Sequence, residues 1–218
     1  MPDNVVSLPQ RGKVYLTGAN RTADSTATTS KAIEGIVKTF KDLDYSSTTT
    51  GSTTVLGPRS GGEVTCILVR NSSGISLLPK MAVTWKSGQR GKQVDGYADF
   101  SPDRAIAGIV DEWLPSTGVA TNDYFWLTVR GPTLALTALP GDETNVISVD
   151  DWLMNGTAAS SVVSTTAGRV VPVILPTSGQ TTSITFAASQ MMYKFARALS
   201  AKTTANTNAN VLVYVDLY

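Results

Sequence analysis

The chain has 218 residues, 42% hydrophobic and only 16% charged, and 18 basic against 17 acidic side chains give a net charge of +1. This length can bury roughly 70% of the unfolded surface in a self-sufficient core, and the even charge leaves no electrostatic footprint for nucleic acid or an anionic membrane. With no histidine and one cysteine, the chain cannot assemble a Ser-His-Asp or Cys-His centre, an ordinary Cys/His zinc site or an intrachain disulfide.

The N-terminus, Met1 to Val6, has no basic region followed by an apolar run, so no secretory leader is expected. No apolar run approaches the ~20 residues that span a bilayer. The expectation is synthesis in the cytoplasm and no membrane partner. Two Ser/Thr-rich stretches, Asp24 to Ser30 and Ser46 to Thr54, flank a helical pattern. Ala32, Ile33, Ile36, Val37, Phe40 and Leu43 repeat at the spacing of one helix face, with Lys31, Glu34, Lys38, Lys41 and Asp42 largely opposite. Ser30 is a suitable N-cap, and Gly35 weakens the helix by about 1 kcal/mol relative to alanine. Residues 1–60 therefore read as an N-terminal arm with one short amphipathic helix (about 31–43) and a Ser/Thr-rich linker. An isolated helix of this length is marginal in water, so its apolar stripe must pack on the protein's own barrel or on a neighbouring subunit.

From Gly62 onward the pattern is all-β, with short runs punctuated every eight to twelve residues. The expected strands are Val64–Arg70, Met81–Lys86, Gln93–Ala98, Ala105–Trp113, Tyr124–Arg130, Thr133–Ala138, Val146–Met154, Arg169–Leu175, Ser183–Ala187 and Asn210–Leu217. Residues 188–199 fit both a helix face and alternation, and a strand is expected from about Tyr193. The fold class is all-β, with a β-barrel or β-sandwich domain over 61–218. Cys66 lies in an apolar strand and reads as an inert core thiol. Tyr124 and Trp126 share one strand face while Phe125 takes the other, which suits a central strand covered on both sides. Trp85, Trp113 and Trp152 fall at or near strand ends.

Candidate chemistry is sparse. Asp111-Glu112, Asp142-Glu143 and Asp150-Asp151 are adjacent acids, and neighbours on a strand point to opposite faces, so no pair converges by itself. Asp95, Asp99 and Asp103 lack the ligand spacing and terminal glutamate of a calcium loop. In Gly88-Gln89-Arg90-Gly91-Lys92 a phosphate loop fails, because its first glycine falls at Lys86 and Gln93 replaces the Ser/Thr. Lys80, Lys86, Arg90 and Lys92 are the densest basic cluster, either a solvated hairpin tip or a contact with an acidic partner surface, where charge steers and orients. No metal, cofactor or enzymatic activity is expected.

Three segments carry a resemblance: Arg70-Asn71-Ser72-Ser73-Gly74, Ala107-Gly108-Ile109-Val110-Asp111-Glu112, and Asp123 to Pro132 with its Tyr-Phe-Trp run and Gly-Pro end. Together with the final pair, Phe195 to Leu199 and Val211 to Val215, they resemble the head decoration (capsid cement) proteins of tailed bacteriophages. In the first of that pair Ala196 replaces the usual glycine. The resemblance spans roughly Glu63 to Leu217 and leaves the first sixty residues out. It implies a structural protein, not an enzyme, that binds the outside of a phage head and stabilises it. The major capsid protein would be its partner, with further copies of itself as a homotrimer, on the virion exterior. Candidate contact residues for a capsid or sister subunit are Ile33, Ile36, Val37 and Phe40 on the arm and Lys80, Lys86, Arg90 and Lys92 on the basic cluster. The alternative is a carbohydrate- or receptor-binding module of a head fibre or tail. The two readings differ at Trp126 and Trp113, buried for a cement and exposed for a sugar platform.

Overall fold

The computed structural model describes residues 11–12, 14, 34–47, 54–97, 105–137, 146–155, 168–173, 194–202 and 210–217. Among them are ten strands and no helix. In chain order these are β1 (Val37–Ser47), β2 (Thr54–Asn71), β3 (Ala82–Trp85), β4 (Gln93–Tyr97) and β5 (Ile106–Val110), followed by β6 (Tyr124–Leu136), β7 (Trp152–Asn155), β8 (Val170–Pro172), β9 (Ala196–Ala198) and β10 (Asn210–Asp216). The order across the sheet is β1-β2-β4-β3-β5-β6-β10-β9-β7-β8, and β2 also pairs with β6. That extra pairing closes β2, β4, β3, β5 and β6 into a five-stranded barrel, which removes their free edges. The seam between β2 and β4 is a short parallel pairing at Arg70↔Gln93 and Asn71↔Val94.

Alternation sets three main cores, beside a small fourth cluster of Met154 and Val171. Odd-numbered residues of the paired strands, Ile67, Val69, Phe125, Leu127 and Val129, fill the barrel with Leu77, Val83, Trp85, Val94 and Val110. Even-numbered residues of the same strands, Val64, Cys66, Leu68, Tyr124 and Trp126, form a second cluster outside the barrel wall. Phe40 of β1 and Ile36 just before it cover that cluster, and the Phe40 and Trp126 rings meet edge-on at 5.2 Å. The third core lies under β7, β8, β9 and β10, with Ile147, Leu153, Phe195, Val211, Val213 and Val215.

One strand serves two of these layers. The first half of β6 pairs with β2, from Arg70↔Tyr124 to Thr65↔Arg130, and its second half pairs with β10, from Asp216↔Arg130 to Asn210↔Leu136. The separate strands expected at Tyr124–Arg130 and Thr133–Ala138 are therefore one. Gly131-Pro132 makes a handover, not a break. Gly131 has φ 100 and its Cα lies against the Glu63 carbonyl, so any side chain would collide with β2 backbone. Gly108 has the same role on β5, against Thr128 and Leu127 of β6.

The helix expected at about 31–43 does not form over its described part. Glu34 and Gly35 make a turn, and Val37–Ser47 is strand β1; residues 31–33 lie outside the described residues. The cause is a spacing shared by two periods. Ile36 and Phe40 are four apart, which suits one helix face and equally one strand face. Gly35 adopts φ 86, and hydrogen bonds from Gly35 N to Leu68 O (2.8 Å) and from Leu68 N to Ile36 O (2.9 Å) commit the backbone to β2. Exposure then alternates, with Val37, Thr39 and Lys41 outward. The expected boundary at residue 60 falls inside β2, which runs through it unbroken. Ser183–Ala187 and the first part of the ambiguous 188–199 segment lie outside the described residues, while β9 is a strand as expected.

Candidate functional site

The most distinctive polar feature is a buried cluster of five charges drawn from four distant points of the chain. It begins at an irregularity in the β1–β2 hairpin. The register jumps from Lys41↔Glu63 to Leu43↔Pro58, so residues 59–62 of β2 stand opposite Asp42 alone. Such a bulge re-aims side chains. Here it turns Asp42 and Arg59 toward each other and toward Glu112. Arg59 donates from Nη2 to Asp42 Oδ1 (2.6 Å) and to Glu112 Oε1 (2.9 Å), and from Nη1 to Glu112 Oε2 (2.9 Å). The two-pronged contact with Glu112 is the fork geometry in which arginine binds carboxylates best.

Asp111 completes the cluster from the other side. Its Oδ1 accepts from Arg11 Nε at 3.0 Å, and its Oδ2 accepts from the Gly12 N–H at 2.6 Å. Arg11 Nη2 also lies 3.4 Å from Glu112 Oε1. Strand β5 ends at Val110, and residues 111–114 turn. Asp111 and Glu112 thus escape the strand rule that would have sent them to opposite faces. Their expected divergence is corrected, since both enter one network.

Three carboxylates face two guanidiniums in this network, almost out of contact with water. Burial works against the charge on Arg59, yet its bonds to Glu112 and Asp42 outweigh that cost and its pKa is raised. Arg11 is raised likewise, with burial opposed chiefly by Asp111. Burial pushes the Asp111 carboxyl up from its ordinary value, and Arg11 and the Gly12 N–H oppose that push without cancelling it. The network joins residues 11–12, the β1–β2 hairpin and the barrel wall. Chemically it is a clamp: each of its three carboxylates is held by donors.

Beyond the clamp the hairpin continues, from Leu43↔Pro58 to Ser47↔Thr54. Among the described residues no third strand pairs with this outer half. Five residue pairs span about 17 Å of two-stranded ribbon, a structure barely stable alone in water.

The other motif residues are also spent on architecture. Buried Asn71 donates from Nδ2 to Ile75 O (2.7 Å) and Val119 O (2.8 Å), and its Oδ1 accepts from Ser73 N and Oγ. It ties two loops at one end of the barrel. Trp126 is 0% exposed and Trp113 is half-buried, so no sugar platform exists at Trp126.

The contact residues expected from sequence do not form one surface. Ile36 and Phe40 are turned onto the protein's own core, Val37 is exposed, and Ile33 lies outside the described residues. Lys80 occupies a positive-φ turn before β3, whereas Lys86, Arg90 and Lys92 lie beyond its other end. Lys86 Nζ donates to Ser72 Oγ at 2.9 Å, and Arg90 and Lys92 are exposed at the hairpin tip. Asp142, Glu143, Asp99 and Asp103 lie outside the described residues, and among the described ones no three acidic or cysteine side chains are placed so as to hold a metal ion.

Sequence reasoning missed Arg11, Asp42 and Arg59. Asp42 and Arg59 are 17 positions apart, Arg59 is 53 from Glu112 and Arg11 is 100 from Asp111, so no local pattern links them. Compared with known proteins, the chain matches no family model and no curated protein sequence.

Proposed function

We propose that this protein is a structural component of a tailed-phage particle that binds the outer surface of the head and stabilises the shell. The major capsid protein would be its partner, and its copies would associate as a trimer. The observation that carries this reading is the ribbon of β1 and β2, which outruns the barrel and is anchored at its base by the Asp42–Arg59–Glu112 clamp. A two-stranded ribbon that is weak alone gains order by lying on a partner, and a clamped base transmits that grip to the barrel. Occupancy at many lattice positions makes modest contacts sufficient. The motif residues support the same reading, since Asn71, Gly108, Asp111, Glu112 and Gly131 are engaged in holding the fold together.

The test is co-sedimentation of the purified chain with phage heads that lack it, followed by heating. Saturable binding and a raised temperature of head disruption are expected, both lost when residues 46–55 are replaced by a short Asn-Gly turn. Failure of the intact chain to bind such heads would overturn the proposal. The rival, a carbohydrate- or receptor-binding module, requires an exposed aromatic face. Trp126 does not supply one, but Trp152 and Tyr214 do.

A further inference from the structure

Arg11, Gly12 and Val14, which precede every strand, form a strap across the charge cluster. Arg11 meets Asp111 with Nε at 3.0 Å and Nη2 at 2.9 Å. The Gly12 N–H donates to the second oxygen of that carboxylate at 2.6 Å. Gly12 has φ 77, and a Cβ there would stand 3.0 Å from Trp113 Cβ, so only bare backbone fits against the turn after β5. Val14 packs against the barrel core. With the strap in place the side chains of Asp111 and Glu112 are 0% and 2% exposed.

Glu112 joins the strap to the ribbon. Its Oε1 accepts from Arg59 Nη2 at 2.9 Å and from Arg11 Nη2 at 3.4 Å, and Arg59 carries the link on to Asp42 at 2.6 Å. Lifting the strap sets two effects against each other. Arg59 loses a like-charged neighbour, which tightens its grip on the acids. Against that, water reaches the cluster, and Asp111 is left beside Glu112 with the Trp113 N–H, at 3.5 Å, as its remaining donor among the described residues. An ion pair keeps only about a quarter of its strength when water replaces an effective dielectric of about 20. Carboxylates already stand between the two guanidiniums, so relief of their repulsion is the smaller effect. Loosening wins.

From this geometry we infer that Arg11, Gly12 and Val14 are a latch on the β1–β2 ribbon: the docked strap holds the ribbon's base closed, and the lifted strap releases it. Linkage makes the device reciprocal, so whatever firms the ribbon also firms the strap. The coupling is a property of the chain alone and stands or falls independently of shell binding.

Limited trypsin digestion of the full chain, with fragments identified by mass, reads both ends of the latch. Cleavage after Arg11 reports the strap and cleavage after Arg59 the ribbon base. Cleavage after Arg130, which is paired on both sides by β2 and β10, reports opening of the barrel itself and serves as the reference. Val14→Ala weakens the strap without touching a charged group. It should raise cleavage after Arg11 and after Arg59 together, each by about threefold relative to the reference, and Arg11→Gln should raise cleavage after Arg59 about tenfold. Arg59→Gln should raise cleavage after Arg11 by the same factor. Ratios that stay at the parent value in these variants would overturn the inference. So would a lower ratio in Arg11→Gln, the sign of a tightened Arg59. A Val14→Ala chain cut faster after Arg11 but not after Arg59 would overturn it too, because Arg11 would then act through its charge and not as part of a latch.

Discussion

The barrel and the C-terminal layer share β6 but handle apolar surface in opposite ways. Barrel strands bury large side chains on both faces, because β1 covers what the barrel interior does not. The layer of β7 to β10 buries one face and leaves Val146, Val149, Trp152, Leu199 and Tyr214 exposed on the segments that build it. Two tryptophans make the contrast concrete. Trp126 is sealed under Phe40, while Trp152 sits beneath a lysine in water. Closed regions of a fold carry its global stability, and recognition concentrates where a face is left open.

The largest effect expected from breaking this division is loss of the cover. Removing residues 1–45 takes away Ile36, Phe40, Asp42 and Arg11 together, uncovering Val64, Cys66, Leu68 and Trp126. The truncated chain should lose cooperative thermal unfolding in near-ultraviolet circular dichroism; a sharp transition at the parent temperature would mean that the barrel is self-sufficient. Next comes the tryptophan pair. Trp126→Ala should cost about 3–5 kcal/mol in urea unfolding, whereas Trp152→Ala should change stability by under about 0.5 kcal/mol. Equal costs would erase the contrast between the two regions.

Arg59→Ala leaves Asp42 and Glu112 buried without their main donor. A loss of about 3 kcal/mol in urea unfolding is expected; a loss under about 0.5 kcal/mol would show that the clamp adds little to stability. The smallest effect concerns Cys66, whose thiol is pushed up to about 12 by burial. Native protein should resist alkylation at pH 8 and react only when unfolded. Because the folded value is the higher one, this thiol's contribution to stability is complete below the unfolded value near 9.0 and declines as pH rises toward about 12.

Much of the barrel was legible because period-two alternation is a local property of the sequence. The Tyr124-Phe125-Trp126 run announced a strand covered on both sides, and the structure covers both. What covered the outer side was misread for an equally local reason. Ile36 and Phe40 satisfy both periods, and only hydrogen bonding to Leu68 decides between them. The clamp was illegible in a different sense. Asp111 and Glu112 were visible as an adjacent pair, but their convergence depends on β5 ending at Val110, three residues before the expected Trp113, and on a bulge at Asp42. Arg197 looked like one cation among 18 until strand register put it between Trp152 and Tyr214.

The handover at Gly131 ties the fates of two cores together. Residues before it index the barrel, and those after it index the C-terminal layer, on one continuous ladder. A shift of that ladder by a single position would turn Phe125 and Leu127 out of one interior and Ala135 out of the other at the same moment. Misalignment is thereby penalised twice, and the correct register is selected by two independent interiors at once.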